Sequence, residues 1–151
     1  MILTNYMENK MKTPLYNLAL GISIDAHDEQ TRNDGTPYIY HPIAVASAVD
    51  SEREKVTALL HDVIEDTDIT AYDLLEQGIP SKIVDDLELL THQPKDDYYD
   101  YILKICTQAS EEAMWVKYQD IEHNLQTTKG KHRIAKYKLA QFVLMGFIVD
   151  E

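Results

Sequence analysis

Ala58-Leu59-Leu60-His61-Asp62-Val63-Ile64-Glu65-Asp66-Thr67 places three carboxylates, Asp62, Glu65 and Asp66, inside an otherwise apolar run. With Val56 upstream, the apolar positions Val56, Leu59, Leu60, Val63 and Ile64 recur at helical spacing, so Glu52 to Asp66 reads as one helix. On that helix Asp62 and Asp66 are i,i+4 neighbours and repel each other, close to a C-terminus whose dipole disfavours negative charge. His61 and Glu65 form the parallel i,i+4 pair. Charge concentrated on a core-like helix calls for a compensating cation. A divalent metal bound by His61 and Asp62, with Glu65 and Asp66 left for water and protons, meets that need. The competing reading is a solvated helix end with His61 merely hydrogen-bonded.

Working outward, helical patterns fill the chain. Pro14 to about Glu29 carries Leu15, Leu18, Ile22 and Ala26 on one face, widened by Leu20 and Ile24, a breadth that suggests a central helix. Asn33-Asp34-Gly35-Thr36-Pro37 is a loop, and Pro42 suits the first turn of a helix to about Val49. Thr70 and Asp73 form a capping box for a short helix that ends at Gly78. Pro80 starts another, with Ile83, Val84, Leu87 and Leu90 as its stripe. Asp96 to about Thr107 is tyrosine-rich and helical. Ser110 caps the next helix, with Glu111 and Glu112 in its first turn. Lys131 to Val149 is the last. No period-two strand stands out. The expectation is an all-α, compact single domain over 1–151, of roughly seven or eight helices.

Charge narrows the function classes. The 151-residue chain has 14 Lys and Arg against 26 Asp and Glu, a formal net charge of −12. Such a chain binds nucleic acid or an anionic membrane poorly, and an anionic substrate needs a local cation to reverse the field. One cysteine, Cys106, excludes an intrachain disulfide and argues against a thiolate zinc site. Met1 to Thr13 lacks the apolar run of a signal peptide, and Leu139 to Val149 is too short to span a bilayer. A cytoplasmic location is expected.

Two other stretches carry chemistry. Lys117, Asp120, Asn124 and Thr127 make one polar stripe on the helix after Ser110, opposite Met114, Tyr118, Ile121 and Leu125. Taken alone, this stripe reads as a solvated face. In Arg32-Asn33-Asp34-Gly35-Thr36-Pro37-Tyr38-Ile39-Tyr40-His41-Pro42, the His before a helix-starting Pro sits on a fixed backbone and suits either a metal ligand or a cap. Arg32 suits planar recognition of a base or phosphate.

In this order the stretches resemble the HD hydrolase domain of the RelA/SpoT alarmone enzymes, and more closely their small stand-alone relatives. The matching text is His27-x-x-Gln30-x-Arg32-x-Asp34-Gly35-x-Pro37-Tyr38-x-x-His41-Pro42, then Ala58 to Thr67 with Ile69-Thr70, then Val116-Lys117-x-x-Asp120-x-x-His123-Asn124-Leu125-x-Thr127. The resemblance implies a compact helical HD-domain fold and a divalent metal, Mn²⁺ in the family, held by His41, His61, Asp62 and Asp120. It gives Glu65 and Asp66 to the attacking water, Arg32 to the base, and Asn124 and Thr127 to the sugar-phosphate end. It leaves His27-Asp28 as a bystander. The implied reaction removes the 3′-pyrophosphate from (p)ppGpp or a related alarmone, a nucleotide small molecule. The alternatives are another nucleotide phosphatase, acting on NADPH or a nucleoside phosphate, and a non-catalytic nucleotide-binding module. The chain departs from the family at Asn33 and at Gln119-Asp120-Ile121, losing two cations beside the expected pocket.

Some features stay outside that pattern. Tyr98, Tyr99 and Tyr101 read as packing residues rather than nucleotide contacts. Lys129, Lys131, His132 and Arg133 are a pocket rim or a solvated helix start. Phe142 to Val149 is core or a self-association face, so a homo-oligomer is an open expectation. Cys106 reads as a buried small apolar residue.

Overall fold

The computed structural model describes residues 13–148. The reading of the N-terminal segment up to Lys12, and the end of the last helix at Val149, lie outside these residues.

Among the described residues the protein is helical, with one isolated bridge between Thr31 and Pro37. The helices are α1 (Pro14–Ala26), α2 (Tyr40–Ser47), α3 (Glu52–Leu60), α4 (Val63–Asp66), α5 (Ala71–Glu76), α6 (Ser81–Leu90), α7 (Tyr98–Gln108), α8 (Glu111–Leu125) and α9 (Lys131–Ile148). Local chemistry sets most ends. Thr13 caps α1, with Pro14 in its first turn. Ser51 with Glu54 and Thr70 with Asp73 form complete capping boxes for α3 and α5. Asp97 and Ser110 cap α7 and α8 with their side chains. After α5 the chain reverses through Gly78 at φ +103°, where Ile79 N–H donates to Leu74 and Gly78 N–H to Leu75, the paired bonds of a Schellman motif.

The central element is α3, whose Val56, Thr57, Ala58, Leu59 and Leu60 are all buried. It packs against α1, α2, α6 and α8. The second hub is α8, against α2, α3, α6, α7 and α9. This corrects the expectation that the Pro14 helix is central. Only Ala19, Ile22 and Ser23 of α1 are buried, and Ile24 faces solvent.

A second correction concerns Glu52 to Asp66, which is not one helix. It stops at Leu60 and restarts at Val63, with His61 and Asp62 in the turn between. The His61 ring competes for the backbone: its Nδ1 lies 2.6 Å from the Ala58 carbonyl, while the His61 backbone N–H makes only a 3.5 Å bond to the same oxygen. The interruption turns Asp62 and His61 off the helix surface and toward α2 and α8. Of the C-terminal apolar run, Leu144 and Ile148 are core, whereas Phe142 is 77% exposed. Cys106 is buried.

Candidate metal centre

Three elements meet at one point: the first turn of α2, the α3–α4 turn and the middle of α8. His41, His61, Asp62 and Asp120 each offer a ligand atom there, and these atoms lie within 4.8 Å of one another. His41 Nε2 is 2.8 Å from Asp120 Oδ1 and 3.7 Å from Asp62 Oδ2. His61 Nε2 is 2.9 Å from Asp62 Oδ2 and 3.3 Å from Asp120 Oδ1. The four come from sequence positions up to 79 residues apart, as the His41–Asp120 contact illustrates.

Neighbouring hydrogen bonds fix how these groups point. His61 Nδ1 faces the Ala58 carbonyl, an acceptor only, so Nδ1 carries the proton and Nε2 of the neutral ring holds a lone pair. That Nε2 is buried and has no hydrogen-bond partner. His41 follows by a longer chain of the same logic. Arg32 Nη1 donates to His123 Nδ1 at 3.1 Å, so that nitrogen is an acceptor. His41 Nδ1, 2.7 Å from it, is therefore the donor, and Nε2 is left facing the carboxylates. Tyr38 Oη donates to Asp62 Oδ2. Asn124 is held at both ends, its oxygen by Arg32 Nη2 at 3.0 Å and its amide nitrogen by Asp120 Oδ1 at 3.1 Å.

Electrostatics set the charge states. Burial pushes the Asp120 carboxyl up, but the Lys117 ammonium 2.9 Å away and the His61 ring outweigh it and hold Asp120 well below the usual range. Burial would likewise lower His61, yet the Asp62 and Asp120 carboxylates raise it well above an ordinary histidine. Burial, then contact with His41 and Arg32, lowers His123, in keeping with a neutral acceptor ring. Glu65 and Asp66 lie beside the cluster: Asp62, Glu65 and Asp66 also offer oxygens within 4.8 Å of one another. Burial and the Asp62 charge raise both carboxyls. Glu65 Oε1 accepts from the His92 backbone N–H at 2.5 Å, and Gln30 holds the Asp66 carbonyl at 3.2 Å.

The donor set suits a divalent ion: two imidazole nitrogens with fixed tautomers, two carboxylates, and one unpartnered buried nitrogen aimed among them. The cluster opens into a cavity of about 300 Å³ lined by Tyr38, Glu65, Asp66, Lys117, Asn124 and Lys136, among others. A wider groove beside Trp115 holds Asp50, Glu54, Glu111 and Glu112 but no histidine.

The expected residues are thus not equally placed. His41, His61, Asp62 and Asp120 converge, with Glu65, Asp66 and Asn124 at the same cavity. Arg32 stands behind Asn124 and His123. Thr127 is exposed, its hydroxyl turned to the Asn124 carbonyl at 3.4 Å, outside the cavity lining. The polar stripe is not a solvated face at its Lys117 end. Lys117 is 14% exposed and bonds Asp120. Tyr98 and Tyr101 do more than pack, since both line the cavity. Lys129, Lys131, His132 and Arg133 are exposed and absent from that lining. His27 is buried, with Nδ1 2.8 Å from Gln30 Oε1, and takes no place in the cluster. The sequence reading missed His123, Tyr38 and Lys136. His123 and Tyr38 stood inside quoted motifs, and only the fold reveals their roles.

The helical fold is one that a solved structure shares. A solved structure described as a metazoan ortholog of SpoT that hydrolyzes ppGpp superimposes with a TM-score of 0.73 at 21% identity, covering 92% of this chain and 88% of that one. In sequence, the guanosine-3′,5′-bis(diphosphate) 3′-pyrophosphohydrolase of Vibrio cholerae is 51% identical over 57 residues, 35% of this chain and 8% of that protein. Its counterpart in Haemophilus influenzae is 52% identical over 60 residues, 37% of this chain and 9% of that protein. The match therefore spans less than a tenth of these relatives' length. No protein-family model matches the chain. No described helix is long and apolar enough to cross a membrane.

Proposed function

We propose that this chain, 1–151, is a single-domain metal-dependent phosphohydrolase that removes the 3′-pyrophosphate from (p)ppGpp or a related alarmone. The observation that carries the reading is the convergence of His41, His61, Asp62 and Asp120 within 4.8 Å, with His61 Nε2 buried and unpartnered. The named activity of the bacterial relatives and of the metazoan structure supports the substrate class. The proposed ion is Mn²⁺. When bound, such an ion lowers the pKa of a coordinated water and screens the phosphate charge.

The chain's own residues do the rest. His123, fixed by Arg32, orients His41, and the Ala58 carbonyl orients His61. Lys117 offsets the Asp120 charge. Glu65 and Asp66, raised above ordinary carboxyls by burial, are suited to take a proton from the attacking water and return it to the leaving 3′ oxygen. Water adds to the phosphorus, the 3′ O–P bond breaks, and pyrophosphate departs. The substrate is proposed to be a free nucleotide rather than nucleic acid.

The test is product analysis with the Mn²⁺-loaded protein and guanosine 3′,5′-bis(diphosphate). Release of pyrophosphate and guanosine 5′-diphosphate is expected. Orthophosphate in place of pyrophosphate would move the assignment to another nucleotide phosphatase. Bound nucleotide without product under any divalent metal would make the chain a binding module.

A further inference from the structure

Catalysis by the metal centre accounts for one phosphate group of a substrate. The same cavity is also lined by α7 and the first half of α9, which the mechanism does not use. Tyr98, Tyr101, Lys136 and Tyr137 line it. Lys136 Nζ lies 4.5 Å from the Tyr98 ring centroid and 5.3 Å from that of Tyr137. Two aromatic faces hold the ammonium by cation–π attraction while leaving its three N–H donors unused.

Charge around the cavity makes this lysine distinctive. Asp62, Glu65, Asp66 and Asp120 all border it. Of the two lysines in the lining, Lys117 is committed to Asp120 at 2.9 Å. Lys136 forms no ion pair with any described carboxylate. Tyr98 belongs to the same lining, and its hydroxyl is buried and has no hydrogen-bond partner, although tyrosine hydroxyls in such places ordinarily find one. An ammonium held by two rings, with an unsatisfied hydroxyl in the same lining of a strongly acidic cavity, is an arrangement made for an incoming anion.

We infer that Lys136, with the Tyr98 hydroxyl, binds the second anionic group of the substrate, the phosphate that is not hydrolysed, and so selects nucleotides phosphorylated at two positions. This rests on the proposed phosphohydrolase reading but goes beyond it, because it assigns a specificity residue on α9. For guanosine 3′,5′-bis(diphosphate), the group at Lys136 is the 5′-diphosphate, which remains on the product.

The experiment uses the product, so that it does not depend on turnover. Binding of guanosine 5′-diphosphate and of guanosine to the Mn²⁺-loaded protein is measured by calorimetry for wild type, Lys136→Met and Lys136→Arg. Wild type should favour the diphosphate by about tenfold or more, the scale of one charge-assisted hydrogen bond. Lys136→Met should erase that preference while binding guanosine as before, and Lys136→Arg should restore most of it. In parallel, kinetics with the bis(diphosphate) should show KM raised by a similar factor in Lys136→Met, with kcat little changed. A diphosphate preference that survives Lys136→Met, or none in wild type, overturns the inference. If wild type binds as expected but hydrolyses nothing, the proposed reaction fails and the anion site stands. If it hydrolyses while Lys136→Met behaves as wild type, the reverse holds.

Discussion

Asp86 and Asp120 are both buried carboxylates facing cations, at 4% and 5% exposure, yet the protein treats them differently. Asp86 is closed in by hydrogen-bond donors. Arg53 Nη2 reaches Oδ2 at 3.0 Å, the Ser110 hydroxyl reaches the same oxygen at 2.5 Å, and the Ser110 N–H reaches Oδ1 at 3.0 Å. This node ties α3 to α6 and to the start of α8. Asp120 also has a cation, Lys117, but it shares its space with Asp62 and two imidazoles, one carrying an unpartnered nitrogen. A buried acid satisfied by donors stabilises a fold. Buried acids that crowd one another around an unpartnered nitrogen leave a charge that an added cation would satisfy.

Breaking each node should therefore do opposite things. Asp62→Ala should lower turnover on the order of a thousandfold, the several kcal/mol that a catalytic metal supplies, while the protein still folds cooperatively. Steady-state rates beside circular dichroism check this. Asp86→Ala should instead cost about 2–4 kcal/mol of stability in denaturant unfolding, somewhat less than a fully buried pair because Arg53 is a quarter exposed. Its turnover per folded molecule should match wild type. His123→Phe sharpens the comparison. It keeps a ring beside His41 but removes the acceptor for His41 Nδ1, and should cost about 10–100-fold in metal affinity or activity, with little change in stability.

The smallest effect belongs to Asp73, a structural acid at the surface. The Thr70 backbone N–H donates to it at 2.9 Å and holds its carboxyl below the ordinary value of 3.8. A folded-state value below the unfolded one means the capping contribution is complete above pH 3.8 and is lost as pH falls through the folded value. Asp73→Asn should therefore flatten part of the acid-side fall in stability, read as thermal midpoints from pH 5 down to about 2.

These contrasts also mark what the amino-acid order could tell. Helix ends were readable where a side chain acts on its own neighbours, as at Thr70–Asp73, Ser110 and Gly78. The break at His61-Asp62 was not, because apolar spacing runs unbroken from Val56 to Ile64. What interrupts the helix is an imidazole bonded to the Ala58 carbonyl, a choice made by tertiary surroundings. The acidic cluster announced itself through its own repulsion. The inward turn of Lys117 did not, since a polar stripe looks the same whether it meets solvent or a polar cavity. Lys136 had no local signal at all. Its role comes from α7 and α9 being folded against one cavity.

The central claim is that two imidazoles and two carboxylates from α2, the α3–α4 turn and α8 hold one divalent ion. Equilibrium dialysis against Mn²⁺, with the metal counted per chain, tests it most directly. Wild type should retain one ion per chain, and Asp62→Ala and Asp120→Ala should retain almost none. Stoichiometric metal that survives both substitutions, or a wild-type protein that binds none, would contradict it.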